Sequence, residues 1–153
     1  MDKKRINDVT TDYLYGKVPP QAIEVEEAIL GALLLEKDAI SKVSLSADMF
    51  YKDTNQVIFK SIEKLNKAGK TIDLITVTVD LKNSGLIDSV GGPIEITKLT
   101  SKVSSAANIE QYARILTQAY IRRELIRVSS EMVSLSYNEA VDLDDIMKSN
   151  SCC

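Results

Sequence analysis

Two acidic clusters are the side chains of this sequence that could carry acid–base or metal chemistry. Residues 24–27 contain three glutamates, and residues 142–145 contain three aspartates. The glutamates are typical of a solvated helix face, because no partner at a catalytic spacing accompanies them. The aspartates are better explained by capping of a helix than by a cation site, since no regular ligand spacing follows. Neither cluster predicts an active site.

One short motif, Gly69-Lys70-Thr71, suggests phosphate binding. A phosphate loop requires a second Gly five positions before Gly69, but that position is Lys64 in a helical segment. The alternative is that Gly69 ends this helix in the left-handed conformation. Gly91-Gly92 likewise lacks the spacing of a dinucleotide fold. The sequence therefore predicts no catalytic residue, no cofactor-binding residue and no metal ligand in this chain.

Composition excludes further classes of function. The 153 residues contain 0 His, which removes Ser-His-Asp triads and His-based metal sites. The two cysteines, Cys152 and Cys153, are adjacent and cannot form a spaced ligand set. A net charge of -3 disfavours a protein whose main task is binding phosphate backbones. No apolar run reaches the ~20 residues of a membrane span and no signal peptide begins the chain, so we expect a cytoplasmic protein without membrane contact.

A long helix is predicted from Asn108 to Tyr137, a stretch without Gly or Pro. At about 1.5 Å per residue it forms a rod of roughly 45 Å, which should protrude from a domain of ordinary size. Apolar residues at helical spacing predict a stripe that another helix or another chain must cover. The candidate interface residues are Tyr112, Leu116, Ala119, Leu125, Ile126, Met132 and Val133.

Shorter elements precede and follow this rod. A flexible tail is expected over residues 1–17, and helices over residues 21–35 and 55–68, with Gly31 marking either a close helix contact or a tolerated weak spot. Residues 71–81 contain a β-branched run typical of a strand, but Asp73 as a cap and the 3.6-residue spacing favour a helix. Ser104-Ser105 is predicted to cap the long helix, and Asp142 a last helix from Leu143 to Lys148.

Four arginines of the rod, at positions 114, 122, 123 and 127, raise the alternative of a helical DNA-binding regulator. Glutamates at positions 110, 124 and 131 are interleaved with them, so the surface is mixed rather than a clean basic stripe. Charges that flank a protein interface explain this pattern better than direct DNA binding.

Six segments in this order resemble the N-terminal domain of bacterial replicative DNA helicases of the DnaB type. The segments are VPPQAIEVEEAILGALLL (18–35), MFY (49–51), IFKSIEKL (58–65), TIDLITVTVDLKNSGLID (71–88), SVGG (89–92) and SAANIEQYARIL (105–116). The resemblance implies an all-α fold: a globular bundle of about six helices over residues 18–103, then a protruding helical hairpin over residues 104–153. The hairpin's second helix is expected to be incomplete.

The resemblance also implies a function by contact. In this family hairpins of neighbouring subunits pack together, the domains form a collar on a hexameric ring, and primase docks on that collar. Self-association, primase and a helicase loader are the expected partners, and DNA is expected to bind only through the full-length ring. ATP and magnesium belong to a separate motor domain that this chain lacks, so it should not be catalytic by itself. A stand-alone helical adaptor or inhibitor of helicase assembly is the alternative.

Overall fold

In the computed structural model, residues 17–150 are described, and they form six α-helices and three short 3₁₀ helices without a β-strand. The α-helices are α1 (Ile23–Leu35), α2 (Asp53–Lys67), α3 (Leu74–Asn83), α4 (Pro93–Thr100), α5 (Ile109–Ser136) and α6 (Leu143–Asn150). The 3₁₀ helices are Ala39–Lys42, Ala47–Met49 and Asp88–Val90. This confirms the all-α prediction. The predicted tail over residues 1–17 lies outside the described residues except for residue 17. Cys152 and Cys153 also lie outside them.

The described residues divide into two compact units. Residues 21–120 form the first, called the globular unit below, and residues 17–20 with 121–150 belong to the second, called the C-terminal unit. The boundary follows Tyr120 inside α5, whereas the sequence placed it after residue 103. Ala106, Ile109 and Leu116 explain the difference, because all three are buried in the core of the globular unit.

Gly31 shows why α1 and α4 approach so closely. A Cβ at this position would lie 2.2 Å from the carbonyl oxygen of Leu99 and 3.2 Å from Cγ2 of Val103. Only hydrogen fits between these backbones, so the structure selects the close helix contact over the tolerated weak spot. In the same unit α1 also packs against α2, and α3 packs against both α2 and α4.

A helix, α3 (Leu74–Asn83), covers most of the segment 71–81, as the spacing and the cap predicted, and it begins after Asp73. Asp73 Oδ1 accepts hydrogen bonds from the backbone N–H groups of Ile75 (2.9 Å) and Thr76 (2.8 Å). The Thr76 hydroxyl in turn accepts the Asp73 N–H at 3.0 Å, which completes a capping box. Val77 and Leu81 bury the inner face of α3. The cap and this burial outweigh the strand preference of the β-branched run.

A buried carboxylate connects α1 to the start of α2. The side chain of Glu26 is fully buried and accepts hydrogen bonds from Tyr51 N (2.6 Å), Lys52 N (3.3 Å) and Asn55 Nδ2 (2.9 Å). Backbone N–H groups at a helix start lack intrahelical partners, so this carboxylate satisfies donors that would otherwise be buried without one. The prediction of a solvated helix face at residues 24–27 was therefore wrong for Glu26, which is buried because it accepts hydrogen bonds from the start of α2.

Glu27 pairs with two lysines from other segments. Its carboxylate lies 3.2 Å from Lys52 Nζ and 3.1 Å from Lys102 Nζ. Burial acts to raise the pKa of Glu27, but the hydrogen bonds from Lys102 and Lys52 outweigh it and lower the pKa below its ordinary value. The pairs join α1 to the residue before α2 and to the segment after α4.

Two predicted helix boundaries had different outcomes. Gly69 has a φ of 66°, and Lys70 N donates to Leu65 O at 2.9 Å, so the helix ends with Gly in the left-handed position as predicted. The predicted cap Ser104-Ser105 was wrong, because α5 begins only at Ile109. The Ser105 hydroxyl instead accepts from Ala107 N at 3.3 Å, within the turn that precedes α5.

Within the C-terminal unit, Arg123 Nη1 donates to the carbonyl of Pro20 at 2.9 Å, which links the residues before α1 to α5. Asp142 caps α6 as predicted, its Oδ1 accepting the Asp144 N–H at 2.9 Å. Across residues 17–150, no helix combines the length and apolar character needed to cross a membrane.

Candidate protein-interaction surface

The first three turns of α5 are part of the globular unit. Ile109 and Leu116 are completely covered there, and Tyr112 packs partly against the same core. The Tyr120 hydroxyl donates to Asp48 Oδ2 at 3.0 Å. The hydrogen bond from Ser46 lowers the pKa of Asp48, burial partly opposes it, and the bond from Tyr120 adds to the lowering. These contacts fix the start of α5.

The seven predicted interface residues therefore do not form one exposed stripe. Leu116 has no exposed surface, so its side chain is not available to a partner in this conformation. Tyr112 and Ala119 are half-buried in the globular unit. The reason is geometric: at about 100° per residue, the nine positions from Leu116 to Leu125 place these side chains on opposite faces of the helix.

After Tyr120 a second apolar row begins, which we call the α5 seam. Its spacing alternates regularly between four and three residues, as at the a and d positions of a coiled coil. The seam residues are Ile121, Leu125, Val128, Met132 and Leu135. Exposed fractions are 48% for Ile121, 62% for Leu125 and 38% for Met132, and Val128 and Leu135 are half-buried. Such a row on a helix of a soluble protein marks a surface that another helix can cover.

Sequence reasoning found only part of this seam. Leu125 and Met132 were predicted, whereas Ile121, Val128 and Leu135 were missed. The unbroken four-three-four-three spacing of apolar residues after Tyr120 would have identified the seam. The prediction of a single apolar stripe along all of α5 instead combined residues from the buried face with residues from the seam. The predicted Ile126 and Val133 are half-buried and lie seven residues apart on an adjacent face.

An ion-pair cluster flanks the seam. Arg127 donates to Glu124 Oε2 from Nε at 3.0 Å and from Nη2 at 2.9 Å, and to Glu131 Oε1 from Nη1 at 2.7 Å. The hydrogen bonds that Arg127 donates to Glu124 and to Glu131 raise the pKa of Arg127. Because this cluster is solvent-exposed, its contribution to stability is small. It occupies Arg127, one of the four arginines that a nucleic-acid interpretation of α5 would have to use, and it fits the flank of a protein interface.

The last helix adds a second exposed apolar pair to the C-terminal unit. Leu143 and Met147, one turn apart on α6, are 72% and 69% exposed. Ile146 between them is buried at 6% exposure, so α6 is covered on one face and open on the other. The seam and this pair give the C-terminal unit two apolar surfaces that face solvent.

No group of three His, Cys, Asp or Glu side chains within residues 17–150 could hold a metal ion. The backbone N–H of Lys70, which a phosphate loop would offer to a nucleotide, is used for the end of α2. A shallow groove of about 400 Å³ beside α5, lined among others by Lys42, Val43 and Arg114, is open to solvent. The residues that line this groove do not form an ATP site.

Comparison with known proteins gives a consistent result. Residues 18–118 match the protein family described as the DnaB-like helicase N terminal domain. The chain is 39% identical to the replicative DNA helicase DnaB of Rhodothermus marinus, over 86% of this chain and 14% of that protein. It is 37% identical to the replicative DNA helicase DnaC of Bacillus subtilis, over 90% of this chain and 31% of that protein. The chain thus spans less than a third of the length of these relatives.

Solved structures share the fold. The crystal structure of the N-terminal domain of DnaB helicase from Mycobacterium tuberculosis superposes with a TM-score of 0.81 at 32% identity, covering 86% of this chain and 94% of that one. A DnaB-like replicative helicase, whose structure was described together with its interactions with primase, gives a TM-score of 0.68 at 19% identity, over 76% of this chain and 27% of that one. The second similarity bears on the fold alone.

Proposed function

Because the chain belongs to the family of DnaB-like helicase N-terminal domains, we propose that it is the primase-binding and oligomerisation domain of a replicative DNA helicase. It acts by protein contact rather than by catalysis. The complete helicase unwinds DNA with ATP and magnesium, which are used by residues outside the segment that matches the family. A helicase loader is a further partner of the assembled ring.

The α5 seam carries the proposal. The seam has five apolar side chains at heptad spacing, and three of them are more than a third exposed. Single exposed apolar residues are common on protein surfaces, but a continuous row of them is not explained in this way. A helix from a second copy could cover them by inserting its own side chains between those of the seam. The exposed pair on α6, Leu143 and Met147, offers a second apolar surface in the same unit. The relative whose structure was described with its primase interactions supports primase as the other partner.

Sedimentation equilibrium of the chain, alone and with the C-terminal helicase-binding region of primase, tests the proposal. We expect a concentration-dependent dimer or larger species, and a complex with primase. Leu125→Ala should weaken association by about 2 kcal/mol, or roughly 30-fold in Kd, because Leu125 is the most exposed member of the seam.

Ile75→Ala is the matched control, since Ile75 is an exposed aliphatic residue, 73% exposed, on a different helix, α3. It should leave association unchanged, and both variants should keep the unfolding free energy within about 0.5 kcal/mol of the parent. A chain that stays monomeric at high concentration and ignores primase would contradict the proposed function.

A further inference from the structure

A row of lysines follows the solvent side of α2. Lys60, Lys64 and Lys67 are spaced by four and three residues, and all three are exposed. Ile58, Ile62 and Leu65 line the buried side of the same helix. At about 1.5 Å per residue, the row of lysines extends for roughly 10 Å along the helix axis. We call these three residues the lysine row.

The row concentrates positive charge in an acidic chain. Residues 60–70 contain four lysines and one glutamate, a net charge of +3, whereas the whole chain carries -3 and the remainder therefore -6. Asp80 on α3 compensates part of this charge, because its carboxylate lies 2.6 Å from Lys64 Nζ and also accepts from Ser61 Oγ at 2.8 Å. The Lys64 side chain is still 63% exposed, so its ammonium group can contact a further anion.

Helix stabilisation accounts for only part of the row. Lys64 and Lys67 lie in the last turn of α2, where cations favour the helix dipole. Lys60 lies before that turn, and lysines four residues apart repel each other by a few tenths of a kcal/mol. The repulsion between Lys60 and Lys64 is a small cost that Asp80 offsets in part and that an anionic partner would reduce further.

The surroundings of the row favour phosphate groups over a protein surface. Lysine is depleted in protein interfaces, and such interfaces need an apolar centre. Across residues 53–67, all of which the structure describes, no large hydrophobic side chain is exposed, and Val57 packs against the core. The α5 seam shows the opposite composition, with apolar residues in the centre and charges beside them.

We propose that the lysine row binds the sugar–phosphate backbone of single-stranded DNA without reading its sequence. One row of cations on a convex helix can follow one strand, whereas a duplex presents two backbones. The contact is auxiliary and weak, because only three cations take part, and it departs from the sequence-based expectation that DNA binds only through the full-length ring. It concerns a surface on a different helix from the α5 seam and does not depend on the protein contacts proposed above.

Fluorescence anisotropy with a labelled oligo-dT strand tests this proposal on the whole chain. Three phosphate contacts predict a slope of about -2 in a plot of log K against log salt, and an affinity loss of about 20-fold between 50 and 200 mM salt. The triple variant K60Q/K64Q/K67Q should lower the affinity at 50 mM salt at least tenfold. The triple variant K60R/K64R/K67R keeps the charges and should keep the binding.

Two controls separate a built surface from general charge. K37Q/K42Q/K82Q removes the same charge from three exposed lysines outside the row and should reduce affinity less than twofold. A circular dichroism melt checks that each variant is folded, and the arginine variant keeps the test valid if the glutamine variant is unstable. Equal losses in both glutamine variants, or equal affinity for polyglutamate and oligo-dT, would overturn the proposal.

Discussion

Substituting alanine for Gly31 tests the contact between α1 and α4. Helix propensity alone predicts that Ala stabilises mid-helix positions by about 1 kcal/mol over Gly. The structure predicts the reverse, because the new Cβ would lie 2.2 Å from the carbonyl oxygen of Leu99 and 3.0 Å from its carbonyl carbon. That oxygen belongs to the backbone of α4 and cannot rotate away as a side chain could.

The magnitude follows from the shift that is required. Relieving the contact moves α4 away from α1 by on the order of 1 Å, which loosens the packing of buried neighbours such as Leu30 and Ile96. Overpacking of this kind costs about 1–3 kcal/mol or more, and the propensity gain offsets part of it. We expect a net loss of about 2 kcal/mol, and a fall in Tm of about 4–8 °C for a chain of this size.

Thermal and urea unfolding followed by circular dichroism at 222 nm provide the measurement. Ser129→Ala is the matched control, since Ser129 is exposed in the middle of α5 and gains helix propensity without any packing change. Its Tm should stay level or rise slightly. A Gly31→Ala variant that is as stable as the parent, or more stable, would refute the close approach of α1 and α4.

Two further predictions concern the cap of α3 and the response to acid. Asp73→Ala removes the two hydrogen bonds that the Asp73 carboxylate accepts at the start of α3, and it should lower the unfolding free energy by about 1 kcal/mol in urea titrations. The control Asp53→Ala removes an acidic residue from the first turn of α2 and should cost about a few tenths of a kcal/mol. Equal losses in the two variants would contradict the capping role. Burial acts to raise the pKa of Glu27 and Asp80, but hydrogen bonds from lysines outweigh it and lower the pKa of both groups in the folded state. The two ion pairs therefore stabilise the fold fully above the ordinary carboxyl pKa near 4. This stabilisation is lost as the pH falls through the lower folded-state pKa. Urea midpoints should hold from pH 7 to about 5 and decrease below about 4, with a smaller decrease in Glu27→Gln; a midpoint that rises on acidification would contradict the ion pairs.

Local sequence signals sufficed where a structure depends on neighbouring residues. The helix over residues 74–83 followed from Asp73 and the 3.6-residue spacing, because a cap is formed by residues two and three positions away. Gly69 ended α2 for the same reason, since only local backbone geometry decides that position. Ser105 shows the limit of this reasoning, because its hydroxyl accepts a hydrogen bond from Ala107 N in a turn that precedes α5, and α5 begins only at Ile109.

The candidate site was predictable in kind but not in its residues. A long helix with excess apolar side chains was evident from residues 108–137, and the order of six segments indicated the family. The assignment of Leu116 to a partner surface failed, because Leu116 is buried by residues far away in the sequence. Helical spacing indicates which residues lie on the same face of a helix, but it does not indicate which part of the protein covers that face.

The sequence by itself determined the helices, their ends at glycine and aspartate, and the family to which the chain belongs, because these depend on local geometry and on residue order. Only the tertiary structure decided that Gly31 is required by a backbone 2.2 Å away, and that Leu116 is internal while Leu125 is exposed. The physical reason is that burial is a property of contacts between segments distant in sequence, and no period along one helix contains that information.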